Sequence, residues 1–311
     1  MLDKFWEAVG GNLADRWATV SLPALIFWLG GLVAWTYHRG GPHTLTSHTH
    51  WLDRQTTATQ ITVIVTALLT VAASAILVNQ TATPALRLLE GYWPRWTGPV
   101  RDRLAGWLAA RATAEQSTWQ AAAAQVQPPA IPTARQVDTY TRLEHRRRRR
   151  PSPAAPGYFL PTPIGNILRA AERRPIDKYG LDTVILWPRL WPALPETTRH
   201  DLLAARTALD SAAAAAVWGL LFCGFAPLTP LVIPIGLTVT AVAVVIAIPD
   251  RAQVFGDLIE AAYDQHRTVL YTQLRWPLPT NPSQEHEYGQ KLTAYLWRGS
   301  DATTPTFTPP P

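Results

Sequence analysis

The densest set of residues able to do chemistry lies between positions 158 and 194. Asn166, Arg169, Glu172, Arg173, Asp177, Tyr179, Asp182 and Arg189 bring amide, guanidinium, carboxylate and phenol groups close together along the chain. One reading makes them a binding surface for a partner. The other makes them the solvated face of a packed helix. At about 100° per residue, Ile164, Ile167, Leu168 and Ala171 share one side, and Asn166, Arg169 and Arg173 share the opposite one. Thr162 is a good N-cap and Pro163 a good first residue, and Pro175 is expected to end the helix. Trp187 and Trp191 suit a membrane–water interface, where an apolar ring with one N–H donor is at home.

A second group is the run Arg146, Arg147, Arg148, Arg149 and Arg150, which follows His145 and precedes Pro151, Pro153 and Pro156. A dense positive run attracts phosphates, so anionic lipid headgroups are candidate contacts and a plain solvated linker is the alternative. No aromatic residue is interleaved, so base stacking is not suggested and nucleic acid is the weaker partner. His43, His48 and His50 have spacings that would suit a metal. Only Asp53 lies near them as a further ligand, so they read as a polar loop and no metal site is assigned. Cys223, the single cysteine, lies in an apolar run and reads as a small packing residue. Glu285 and Glu287 flank His286 at the start of a helix, where acids suit the dipole. The phosphate-loop, dinucleotide, zinc-protease and serine-hydrolase signatures are all missing, and no cofactor is implied.

The elements that must position these groups are helices, and several suit a bilayer. Residues 17–37 carry no charge over 21 positions, about 31 Å of helix, enough to span. This stretch is too long for a signal-peptide core and no small-residue cleavage site follows, so it reads as a retained span. Residues 2–17 read as a short amphipathic helix on the membrane surface. Ile61–Val78 is a second apolar run, with Thr62, Thr66, Thr70 and Ser74 repeating every four residues. They form either a polar seam towards another helix or a set of hydroxyls bonded to their own helix. Residues 211–249 have no charge at all and are divided by Pro227, Pro230 and Pro234, as a third and a fourth span joined by a tight turn would be. Ser211, Ala215, Gly219 and Cys223 place small residues at four-residue intervals, which favours close packing within the chain over dimerisation.

Between the apolar runs, residues 87–210 carry 19 Lys/Arg against 11 Asp/Glu. Gly91–Trp96 reads as an interfacial turn, residues 99–126 as an amphipathic helix, and residues 133–145 as another. After residue 249, Val254, Phe255, Leu258, Ile259, Ala262, Val269, Leu270 and Leu274 form one stripe of a long helix. Asn281 and Pro282 open a last helix ending near Trp297, and residues 300–311 are Thr/Pro-rich and expected to be disordered. Lys4, Arg16, Arg87, Arg95, Arg199, Arg206, Arg251 and Arg267 fall on one side of four spans, against only Arg39 and Arg54 on the other. Both termini and the long central region are therefore expected in the cytoplasm. None of the four spans holds an ionisable side chain, which argues against a pump or proton-coupled transporter.

The string from Pro161 to Trp191, with Leu274-Arg275-Trp276-Pro277-Leu278-Pro279 and Leu296-Trp297-Arg298-Gly299, resembles a group of uncharacterised bacterial membrane proteins, many of them actinobacterial. The resemblance covers about the C-terminal half. It implies a multi-pass cell-membrane protein and carries no activity, cofactor or catalytic residue.

The expected protein is all-α, with four transmembrane helices in two hairpins and a cytoplasmic helical region. Its segments are an interfacial helix (1–16), a first hairpin (17–86), a helical region ending in an Arg/Pro linker (87–157), the polar motif segment (158–210), a second hairpin (211–249), C-terminal helices (250–299) and a tail (300–311). The expected function is a membrane-anchored interaction or scaffold protein, more a binder than an enzyme. It would self-associate or bind a cytoplasmic partner, with 250–276 as the main helix surface. The alternatives are an oligomeric passive pore lined by the hydroxyl seam, and a membrane-embedded enzyme acting on lipid-linked substrates.

Overall fold

A computed structural model describes residues 22–41, 54–129 and 131–309. The surface helix expected at 2–17, the start of the first span and the His43–His50 loop lie outside the described residues. Within them the chain is helical throughout, with no strand. The helices are α1 (Leu22–His38), α2 (Thr57–Glu90), α3 (Gly98–Val126), α4 (Ala134–Arg148), α5 (Pro163–Tyr179), α6 (Thr183–Leu190), α7 (Glu196–Phe222), α8 (Val232–Val242), α9 (Ile248–Gln273) and α10 (Pro282–Arg298). A π-turn over Ala243–Ala247 joins α8 to α9. Three helices are long and apolar enough to cross a membrane: α2, α7 and the continuous stretch that contains α8 and α9. The apolar helix α1 is shorter over its described length. The chain divides into two compact units, Met1–Leu86 with Asp210–Ile248, and Arg87–Leu209 with Pro249–Pro311.

The first unit packs small residues inward. Ala24, Ala34, Ala75, Ala82, Ala212, Ala213 and Ala216 are buried, whereas Ile26, Leu29, Leu68, Leu69, Leu77, Leu220 and Ile246 are exposed. A side chain of any size at Gly219 would run into the Gly236 carbonyl and the Thr240 hydroxyl, so that part of the small-residue stripe packs within the chain. A partly buried aromatic group centres on Phe27, whose ring centroid lies 4.9 Å from that of Trp218 and 5.0 Å from that of Phe225. The hydroxyl seam divides between its two readings. Thr62 and Thr70 donate to the Ala58 and Thr66 carbonyls of their own helix, while Ser74 also accepts from Trp28 Nε1 at 3.1 Å on α1.

The second unit packs large residues inward. Leu181, Leu186, Leu190, Leu194, Leu202, Tyr263, Leu270, Tyr271, Trp276 and Leu292 form one continuous core drawn from α6, α7, α9, α10 and the turns beside them. Three expectations change here. Pro175 does not end α5. Its ring is buried, and the helix continues to Tyr179, stopped by Gly180 at a φ of 72°, a left-handed conformation that glycine adopts without a Cβ clash. The arginine run is not a linker, because α4 extends through Arg148. The described tail is docked rather than free: Phe307 meets Tyr295 at 6.0 Å between centroids, and the Thr308 N–H donates to the Arg275 carbonyl at 2.8 Å.

Candidate functional site

The site is built on three helices of the second unit. α4 starts at a reciprocal cap in which Thr133 and Gln136 each bond the other's backbone N–H, and it ends in cations, which its C-terminal partial negative charge favours. α5 starts at the Thr162 cap. α5 and α9 approach closely where Gly256 faces Ala171, a spot that would not accommodate a Cβ without movement. That approach lets Arg174 and Lys178, four residues apart on α5, meet Asp257, Glu260 and Asp264 on one face of α9.

Glu260 is the centre of the resulting network. Its carboxylate is 2.7 Å from Arg174, 3.0 Å from Arg148 and 2.5 Å from Lys178. Arg174 also donates to the Arg148 carbonyl, tying the end of α4 to α5. Arg149 pairs with Asp250 at 2.8 Å and Arg150 with Glu115 at 2.9 Å. Arg147 pairs with Glu144 and stacks over Trp119 at 4.4 Å, and Trp119 Nε1 donates to the same Glu144. Four of the five arginines of the run therefore hold helices together, while Arg146 lies exposed.

Beside this network is an open cleft of about 420 Å³, lined by Arg147, Arg148, Arg150, Arg173, Arg174 and Lys178 against only Glu144, Asp177 and Glu260. Trp119, Pro151, Ser152 and Pro153 complete much of its wall. Each of those acids already faces a cation. Arg150 and Arg173 each keep a buried Nε–H without a hydrogen-bond partner. Arg173 also lies over the Tyr158 ring at 3.5 Å. Chemically, the cleft favours an anion held by charge-assisted hydrogen bonds.

The eight polar residues singled out in the sequence separate. Arg173 and Asp177 line the cleft, 3.0 Å apart. Asn166 is 3% exposed, and its amide bonds both the N–H and the carbonyl of Leu160, so it closes a loop. Arg169 donates to the Tyr92 hydroxyl and lies 3.5 Å from Glu172. Tyr179 donates its hydroxyl to Asp264 at 2.6 Å. Asp182 caps α6 through the Val184 and Ile185 N–H groups, and Arg189 donates to the Ile185 carbonyl. These bonds fix the backbone around the cleft's second helix.

Burial and partners set the charge states. Burial raises the Glu144 carboxyl, but Arg147 and Trp119 outweigh it and hold it below the usual carboxylate value. Burial likewise raises Glu115, and Arg111 with Arg150 more than compensates. Glu90 and Glu172 go the other way. Burial pushes both carboxyls up, against the opposing charges of Arg206 at Glu90 and Arg169 at Glu172. Burial would lower Lys178, but Glu260 and Asp264 raise it above its ordinary value, so it stays charged at neutral pH.

The acidic residues that organise the site, Asp257, Glu260 and Asp264, were missed in the sequence. The available signal was their three- and four-residue spacing on α9, which matches the Arg174–Lys178 pair on α5. No family model, no curated protein and no solved structure matches the chain.

Proposed function

We propose that this chain is a multi-pass membrane protein, with four spans in two hairpins and both termini in the cytoplasm, that acts without catalysis as an anchored interaction protein. Its helical unit receives an acidic segment of a protein partner in the cleft between α4, α5 and α9. One observation carries this reading: six cations line the cleft against three acids, and the further acids that pair with those cations, Glu115, Asp257 and Asp264, stand outside the lining. The exposed leucines and isoleucines of the first unit, in helices long enough to span, support the membrane part. The pore alternative has less support, because Thr62 and Thr70 are turned back on their own helix carbonyls, as hydroxyls are in apolar surroundings.

The test is a photo-crosslinking amino acid placed at Gln116, a cleft-lining position, in the full chain in its own membranes. A discrete crosslinked partner that is lost on Arg147→Glu and absent when the probe is moved to Asp102 supports the reading. No crosslink at Gln116, or one that survives the charge reversal, overturns it.

A further inference from the structure

We infer that the hollow between α10 and the docked tail is a binding site for a small anion with a flat apolar body, an aromatic carboxylate being the simplest member of the class. The inference is independent of the acidic partner and of the membrane reading, because every group in it belongs to residues 275–308 of the second unit. The tail is held at two places. It leaves α10 at Gly299, whose φ of 74° ends the helix. It is pinned again at Thr308, whose N–H donates to the Arg275 carbonyl at 2.8 Å and whose carbonyl accepts from Arg275 Nε at 3.0 Å. Between these points the tail and the last turns of α10 enclose a cavity of about 370 Å³, within the range of small-molecule sites.

Charge and wall chemistry together set the occupant. Lys291, Tyr295 and Arg298 lie four and then three residues apart, so they share one face of α10, and no acid lines the cavity with them. Arg298 is exposed, and its side chain makes no ion pair or hydrogen bond among the described residues. Its charge suits the negative end of α10, but that role uses none of its five donors. Lys291 pairs with Glu287 at 2.6 Å across an exposed stretch of the same helix, a weakly held pair that leaves two of the three ammonium donors unused. The walls are aromatic. Trp276 is buried, the Tyr295 ring lies 5.7 Å from it, and Phe307 lies 6.0 Å from Tyr295 with half of its own surface uncovered. A flat apolar body would cover that surface, and a carboxylate on it would meet the guanidinium through charge-assisted hydrogen bonds. An inorganic anion would leave the rings wet, and a neutral ring would leave both cations unused.

The test uses the full chain in nanodiscs and a photoreactive probe, benzophenone carboxylate, with its neutral carboxamide as the comparison. Labelled peptides are then mapped. The expected result is saturable labelling within residues 291–307 by the carboxylate, at least tenfold stronger than by the carboxamide. Lys291→Gln combined with Arg298→Gln, both at exposed positions, is expected to reduce carboxylate labelling at least fivefold and leave carboxamide labelling the same. Phe307→Ala is expected to weaken both. Arg147→Glu, which tests the cleft, is expected to change neither, so the two sites fail or stand separately. Equal labelling by the two probes, carboxylate labelling that survives the double substitution, or no labelling within 291–307 overturns the inference.

Discussion

The two units differ in the size of the residues that dominate their interiors. In the first, most buried side chains are alanine, with Val78, Leu86, Trp218, Val232 and Ile248 as larger exceptions, and many leucines, isoleucines and valines are exposed; in the second, tyrosine, tryptophan and leucine build a continuous core. That difference is the one expected if the first unit lies in lipid and the second in water, as proposed above. In water, folding is driven by removing large apolar surface, so the biggest side chains go inside. In lipid that drive is lost between helices, and what remains is close backbone approach, which small residues allow and large ones prevent. Charge follows the same division. The uncharged stretches lie in the first unit, whereas the second is held by the network around Glu260.

The comparison can be broken by identical changes made in each unit. Leu186→Ala in the core of the second unit is expected to cost about 4 kcal/mol, through lost burial and the cavity left behind. Leu69→Ala, at a position 62% exposed in the first unit, is expected to change stability by less than about 0.5 kcal/mol. Thermal unfolding of the full chain in nanodiscs measures both, and similar losses would erase the distinction. A charge reverses the ranking. Leu69→Arg is expected to cost about 3 kcal/mol of membrane insertion, read as the inserted fraction in a glycosylation assay. The exposed Val137 on α4 should accept Val137→Arg within about 0.5 kcal/mol.

Close packing in the first unit gives a smaller effect. Gly219→Val forces a side chain against the Gly236 carbonyl and the Thr240 hydroxyl, and is expected to lower stability by about 2 kcal/mol. Recovery of the parent melting temperature in detergent by this variant would contradict the close approach. The pH dependence should be the smallest effect and confined to the second unit. Glu115 and Glu144, held below their ordinary value, contribute stability that is present at neutral pH and lost as pH falls through their depressed values. Glu90 and Glu172, raised by burial, act in the other direction: the folded state holds their protons more tightly than the unfolded chain, a contribution that is lost as pH rises through their raised values. Stability should therefore peak below neutral pH, and Glu172→Gln should flatten the limb between that peak and neutrality. A melting curve for Glu172→Gln that tracks the parent across this range would show that the carboxyl titrates as it does in the unfolded chain.

Local sequence determined where most helices lie. Uncharged length marked the apolar runs, because a bilayer core admits few charges over about twenty residues. Thr162 before Pro163 and Asn281 before Pro282 marked two helix starts, because a cap oxygen and a residue lacking an N–H meet needs local to the first turn. The amphipathic stripe after residue 249 marked α9 by its period alone. What only the tertiary structure decided depends on partners distant in the chain. Arg148 and Arg149 look like a solvated run until Asp250, Asp257 and Glu260 arrive from about a hundred residues away. Pro175 looks like a stop until the packed helix, with the proline ring buried in it, runs one turn further to its stop at Gly180. Asn166 looks like part of a binding face until the Leu160 backbone takes both ends of its amide. The physical reason is common to all three. Periodicity, capping and hydropathy act within a turn or two, whereas the pairing of charges and the satisfaction of buried polar groups are settled only when separate helices pack.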